Sequence, residues 1–351
     1  MLSEFHFFPE LREVYACANS LNGVGTFREE AWIPYKNDVF PITSFSFGSS
    51  KPEVPKLVII GGVHGLEKIG THVVTSYLQT IIRLLKWDDS IQKILEDCQL
   101  IFYPLANPVG MYCNTRSNGN GVDLMRNAPI EAKQKIMTLV GGHRISAKLP
   151  WYRGPTDYPM ELETEILCDF IKRHTFSSDL SIVLDVHSGF GLIDRLWFPF
   201  AFSTSLFPDA HRVLALKKLL DHSYPHHIYT IEPQNIHYMA HGDVWDYLYF
   251  EHQKQNSEQI FIPLCLEMGS WHWVRKNPRQ ALSLIGMFNP MLPHRLKRTQ
   301  RRHLVLFDFL LKAINSGANW ARLSPGETMY LQKTAKRLWY AKRLSPLSFK
   351  N

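Results

Sequence analysis

Residues 57–67 read LVIIGGVHGLE: the apolar run Leu57, Val58, Ile59 and Ile60 meets Gly61 and Gly62 just before His64 and Glu67. A short, mostly β-branched apolar run closed by glycines is a buried strand that stops at a turn. In open α/β sheets the carboxyl ends of strands border the crevice where ligands bind. His64 and Glu67 stand at such an end, three residues apart, so a turn or first helical turn directs both side chains the same way. An imidazole nitrogen and a carboxylate oxygen can then share one Zn²⁺ at about 2.0–2.2 Å. The motif alone has a plainer reading, a helix start with an acid near the positive end of the helix dipole. On that evidence the two readings stand level.

Outward from this strand the pattern alternates. A helix is expected from about Lys68 to Leu85, with Ile69, Val73, Val74, Tyr77, Leu78, Ile81 and Ile82 at helical spacing, then a strand over Gln99 to Leu105. Further helices are expected from Pro159 to about His174, over Phe207 to His222, and from about Asn277 and Arg295. Strands are expected at Ser181–Val186, Asp194–Phe200 and Gln259–Leu266. Such alternation predicts an α/β fold: a mixed, mostly parallel central sheet with helices on both faces. Residues 1–50 are less periodic and are expected as an N-terminal segment packed on a main domain over 51–293. Residues 294–351 are expected as a basic C-terminal helical extension.

The charge distribution marks that extension. From His294 onward 13 Lys and Arg face only Asp308 and Glu327, a surplus of 11, so residues 1–293 carry about −4 of the chain's net +7. No nucleic-acid motif accompanies the charge. Solvated faces of terminal helices are therefore expected rather than a surface for nucleic acid or membrane. Five cysteines, Cys17, Cys98, Cys113, Cys168 and Cys265, form an odd set without metal-type pair spacing, which suggests mostly buried thiols in a reducing compartment. The start, MLSEFHFFPELREV, has acids and no basic, apolar leader pattern. No run approaches the ~20 apolar residues of a membrane span, and the longest candidate, Leu304 to Leu311, is broken by Asp308. These features lead to the expectation of a soluble, cytoplasmic protein.

The chemistry accumulates at other strand ends. Asn107 to Asn127, NPVGMYCNTRSNGNGVDLMRN, is a long loop of turn residues carrying Arg116, Asp123 and Arg126; long loops in compact domains are usually functional or disordered. Ser181 to Gly191, SIVLDVHSGFG, is a second apolar strand ending in His187, and Phe261 to Gly269, FIPLCLEMG, places Glu267 at the end of a third. A parallel arrangement would bring all three ends to one rim. Two His and one Glu are a known ligand set for catalytic zinc.

With these residues in place the chain resembles the zinc carboxypeptidase family, the carboxypeptidase A-like metallopeptidases. The matches occur in order over about residues 57–270: His64-x-x-Glu67, Asn107-Pro108-x-Gly110, Arg116, the segment from Gly121 to Asn127, Tyr152-x-Gly154 with Glu163-Thr164, His187-Ser188, Tyr238 with Gly242 and Asp246, and Glu267. The resemblance implies a carboxypeptidase-like catalytic domain over 51–293, with one zinc held by His64, Glu67 and His187. It further implies Glu267 as general base, Arg116 as oxyanion stabiliser and Asp123 as the carboxylate that orients His64. Arg126 would clamp the substrate's terminal carboxylate, and Tyr238 would close over the substrate. His226, His227, His237 and His241 near Tyr238 read most simply as loop or surface residues.

Two positions bear on the substrate. Where the family usually has Asn before the clamp arginine, this chain has Met125, a thioether with no donor. Arg126 can still bind a carboxylate, with fewer fixed contacts. Trp245 falls, by spacing from Tyr238, at the base of the family's side-chain pocket, where an indole would argue against a large aromatic leaving residue; it reads equally as a core residue of the following helix. The expected function is a zinc-dependent carboxypeptidase acting on a peptide or small amide with a free carboxylate. A deacylase of N-acyl amino acids on the same site, and a non-catalytic zinc-binding interaction protein, remain as alternatives. The oligomeric state is open.

Overall fold

The computed structural model describes residues 8–255 and 258–341. Eight strands build one sheet: β1 (Thr26–Tyr35), β2 (Asp38–Gly48), β3 (Lys56–Gly61), β4 (Gln99–Tyr103), β5 (Leu180–Ser188), β6 (Arg195–Phe198), β7 (Thr230–Pro233) and β8 (Ile260–Met268). Their order is β1-β2-β4-β3-β5-β8-β6-β7. The centre, β4-β3-β5-β8, is parallel throughout, and β6-β7 is parallel as well. The joins β1-β2, β2-β4 and β6-β8 are antiparallel. The helices in chain order are α1 (Pro9–Ser20), α2 (Lys68–Leu84), α3 (Asp89–Glu96), α4 (Pro108–Cys113), α5 (Leu162–Thr175), α6 (Ala210–Ser223), α7 (Val244–Gln255), α8 (Trp271–Lys276), α9 (Leu284–Phe288), α10 (Pro293–Arg302), α11 (Leu304–Asn315) and α12 (Pro325–Ala335).

The central strands are the apolar runs of the sequence. Every residue of β3, β4 and β5 is buried, as expected of parallel strands covered on both faces. The strand expected to reach Leu105 stops at Tyr103, since Pro104 has no N–H to continue the ladder. The helix expected from about Asn277 does not form as one piece. Asn277 has φ −146°, outside the helical region, and separates α8 from a short 3₁₀ turn, Pro278–Leu282, and from α9.

Strands β1, β2 and β7 were not apparent from periodicity. β1 is the sheet's edge, mostly exposed or half-buried, with Arg28, Glu29 and Glu30 and a bulge between Glu29 and Ala31. Charges and bulges on an edge keep it from pairing with other chains, and they also erase the alternation that would mark a strand. The expected division at residue 50 is corrected by the pairing of β2 with β4: residues 26–48 are part of the sheet, not a segment packed upon it.

The division at 293 is corrected likewise. α11 packs on β3 and β5, with Leu306, Phe307 and Leu310 fully buried and the Phe307 ring 5.2 Å from that of Tyr77 on α2. The apolar stretch around Leu304–Leu311 is thus a core helix, and no helix among the described residues is long and apolar enough to cross a membrane. The basic side chains of this region face outward; Lys297, Arg298, Arg301, Lys312, Arg322 and Lys333 are all exposed. Lys342, Arg343 and Lys350, and the opening residues 1–7, lie outside the described residues.

Because α11 covers β3 and β5, Phe307→Ala should lower the unfolding free energy by about 3–5 kcal/mol, measured by urea denaturation. A chain ending at residue 293 should show no cooperative unfolding transition by circular dichroism; a sharp transition would restore the two-part division.

Candidate metal centre and active-site cavity

Parallel register brings the three strand ends together. Gly61 at the end of β3 pairs with Val186 on β5, and His187 on β5 pairs with Glu267 on β8. The turn after β3 is built by close backbone approach. A Cβ on Gly65 would lie 2.0 Å from the carbonyl carbon of Gly110, so only glycine fits. Asn107 ties the two turns together: its Oδ1 accepts from Gly110 N at 2.8 Å and its Nδ2 donates to Val63 O at 3.2 Å. Asn289 fastens the other side, accepting from Ile69 N at 2.9 Å and donating to Leu66 O at 2.8 Å.

These contacts fix His64 and Glu67 against His187, and all three are buried with ligand atoms within 4.8 Å of one another. The two Nδ1 atoms of His64 and His187 face each other at 3.1 Å. Glu67 lies beside both, Oε1 at 2.9 Å from His64 Nδ1 and Oε2 at 3.1 Å from His187 Nδ1. Behind the rings, His64 Nε2 is 3.1 Å from Asp123 Oδ1, and His187 Nε2 is 2.6 Å from Asp185 Oδ2. Each Nε2 has a carboxylate of its own, which favours the tautomer that leaves Nδ1 as the metal-binding nitrogen. Two imidazole nitrogens and a carboxylate converge in a buried space, and that donor set suits Zn²⁺.

The same groups also attract protons. Burial opposes the charge of Glu67, but His64 and His187 outweigh it and hold the carboxyl far below its ordinary range. Burial likewise opposes the charge of His187, and Asp185 and Glu67 raise it well above the usual imidazole range. Asp123 is held low against burial by Arg116 and His64. Metal and proton thus compete for the same atoms.

A cavity of about 600 Å³ opens over this cluster. Arg116, on its wall, donates from Nε to Asp123 at 2.8 Å and from Nη1 to Glu67 at 3.1 Å. Glu267 lies 7% exposed, and its Oε1 accepts the N–H of Phe190 at 2.9 Å. Burial, then the charge of Glu67, pushes its carboxyl up to about 8. Arg126 is 2% exposed and donates from Nη1 to the Met125 carbonyl at 3.2 Å, with Nε unpaired. Its guanidinium carbon stands 5.7 Å from the centroid of the Tyr238 ring. Burial pushes the Tyr238 hydroxyl up to about 12.

All the site residues expected from sequence therefore meet in one place. Trp245 is a core residue, 4% exposed, that also lines the cavity and donates from Nε1 to Asp185 at 3.0 Å. Met125 is buried on the cavity wall. The nearby histidines stay outside the cluster: His227 contacts Asp221, His237 contacts Glu232, His241 contacts Glu131, and His226 is exposed. Sequence reasoning missed Asp185, although it stands two residues before His187, on the same strand face. It also missed Asp243 and Asn289, which no local pattern marks.

The comparisons with known proteins agree with this geometry. The zinc carboxypeptidase family model matches residues 36–271. The chain belongs to the zinc carboxypeptidase family. The chain is 32% identical over 93 residues to carboxypeptidase SOL1 of Arabidopsis thaliana, covering 26% of this chain and 19% of that protein. It is 23% identical over 153 residues to carboxypeptidase D of Drosophila melanogaster, covering 41% of this chain and 10% of that protein. It thus spans about a fifth and a tenth of the length of these curated relatives. Among solved structures, carboxypeptidase A from Helicoverpa armigera superposes with a TM-score of 0.64 at 15% identity, over 87% of this chain and 72% of that one. Bovine thrombin-activatable fibrinolysis inhibitor, in complex with tick carboxypeptidase inhibitor, gives 0.60 at 16% identity, over 87% and 97%. These likenesses show the fold. The family is a zinc family, and the His64, Glu67, His187 cluster is suited to that metal.

Metal-free protein should take up one equivalent of Zn²⁺ with release of protons, followed by calorimetry in buffers of different ionisation enthalpy. Asp185→Asn should weaken zinc about 10–100-fold in competition with a chromogenic chelator; unchanged affinity would separate Asp185 from the metal centre.

Proposed function

We propose that this chain is a zinc-dependent metallocarboxypeptidase-like hydrolase that removes the C-terminal residue of a peptide by attack of an activated water. The observation that carries the reading is the placement of Glu267. A buried, hydrogen-bonded carboxyl outside the ligand trio stands in the same cavity as His64, Glu67 and His187. A scaffold that only held metal would have no need of such a group there.

His64, Glu67 and His187 would hold the zinc, which when bound supplies a Lewis acid and lowers the pKa of water. Glu267 takes the proton of the attacking water and returns it to the leaving amine. Its fixed bond from Phe190 N aims the carboxyl. Arg116 is anchored by Asp123 and Glu67, while its Nη2 has no hydrogen-bond partner among the described residues; that free edge supports oxyanion stabilisation. Arg126, its Nε unpaired in the cavity wall, receives the terminal carboxylate. Met125 contributes its carbonyl to Arg126 rather than a side-chain donor to the substrate, so the carboxylate rests mainly on the guanidinium. Tyr238 closes that end of the cavity. The five free thiols, with Cys17, Cys98 and Cys168 buried, support a reducing, cytoplasmic compartment.

Glu267→Gln should retain zinc and lower kcat by about 10²–10⁴-fold, read on a peptide mixture by mass spectrometry of the shortened products. Full activity in this variant would remove Glu267 from the reaction, and internal cleavage by the wild type would displace the exopeptidase reading.

A further inference from the structure

Residues 268–307 contain eight Lys and Arg and no Asp or Glu. Charge alone leaves such a stretch in water. The structure adds an apolar component: Leu282, at the corner between the 3₁₀ turn and α9, is 91% exposed, and Trp271, Leu284, Met287 and Met291 are exposed around it. Large apolar side chains standing in water among unopposed cations mark a surface made for a partner.

Charges and apolar tips belong to one layer. α8 packs on the 3₁₀ turn and on α9, and Arg295, in the first turn of α10, donates from Nη1 to the Trp273 carbonyl at 3.2 Å, tying α10 to α8. Further along that seam a cavity of about 280 Å³ has His272 and Trp273 on one side and Thr299 and Arg302 on the other. The cations act together there: burial, then the charges of Lys276, Arg275 and Arg302, push the His272 imidazole below its ordinary range. Arg302 meets Asp194 at 3.2 Å. Arg275, Lys276, Arg279, Lys297, Arg298 and Arg301 are exposed and form no ion pair among the described residues. The layer also borders the cavity of the metal centre, which Leu284 and Met287 line.

Several anionic partners satisfy the charge, and the apolar tips separate them. Nucleic-acid phosphates would leave the aliphatic chains in water, and an acidic protein would need a pocket moulded to the projecting Leu282. A bilayer interface takes cations at its phosphates and apolar tips just beneath them, with no shaped pocket. We propose that this layer docks the protein peripherally on an anionic membrane surface, with Leu282 entering the interface and Arg275, Lys276, Lys297, Arg298 and Arg301 at lipid phosphates. Docking sets the rim of the cavity at Leu284 and Met287 against the lipid surface, where peptides held at the membrane come within reach. The inference does not depend on the reaction assigned to the cavity.

The test floats the full, zinc-loaded chain with vesicles of phosphatidylcholine containing phosphatidylserine, and with vesicles of phosphatidylcholine alone. Wild type should float with the first and not the second, and less as salt rises. The combined Lys297→Gln, Arg298→Gln and Arg301→Gln variant should bind the anionic vesicles about 100-fold more weakly, at about fivefold for each cation. Leu282→Ser should weaken binding about tenfold. All four side chains are exposed, so melting by circular dichroism, and turnover of a soluble peptide, should match wild type in both variants. A wild type that does not float with anionic vesicles overturns the proposal, as does vesicle binding that the charge variant retains. Binding lost in the charge variant but unchanged in Leu282→Ser also defeats it, since charge attraction without insertion explains that result. Retention of a polyglutamate peptide or of duplex DNA by a wild type that leaves vesicles unbound assigns the layer to that partner instead.

Discussion

The convergence of two imidazoles and a carboxylate inside a buried pocket is the constraint around which this molecule is arranged. Nδ1 atoms of His64 and His187 stand 3.1 Å apart with Glu67 against both, a buried cluster at which metal and proton compete. Its energetic cost is carried by the fold. Parallel strands β3, β5 and β8 end within two residues of one another, and their burial leaves those ends little freedom to relax.

Carboxylates behind the ligands do more than orient rings. Asp123 binds His64 and Arg116 and also accepts the N–H of Met125 at 3.0 Å, starting the short turn that carries Arg126. One side chain thus sets the relative positions of His64, Arg116 and Arg126. Asp185 has a comparable place on the other side, joining His187 to the indole of Trp245. The floor of the cavity is thereby connected by hydrogen bonds to the metal centre, so a change of pocket residue at 245 has consequences for zinc as well as for fit.

Met125, where the chain departs from the family pattern, lies on the cavity wall and not among the residues of the metal cluster. Trp245 and Asp243 are likewise buried residues of that wall. Chemistry at the metal tolerates little variation in donors and distances, whereas the pocket needs only shape and charge suited to one residue class. The division between a constrained centre and an adjustable pocket follows from that difference.

The central strands, the first long helix and the residues His64, Glu67, Asp123, Arg126, His187 and Glu267 were legible in the sequence because their signals are local: apolar runs, helical spacing, and polar residues at strand ends. The edge strand β1 was hidden by its own charges, and residues 294–341 looked like an appendage because charge dominates their composition while Leu306, Phe307 and Leu310 do the packing. Only the tertiary structure decided that Asp185 meets Trp245, 60 residues away, and that Asn289 fastens the turn holding His64 and Glu67. The same holds for Asp243, whose one oxygen is left without a partner beside Arg126. Those facts depend on which distant groups fill a buried space and on which polar atoms remain unsatisfied there. A sequence determines them through the whole fold and displays them in no single stretch.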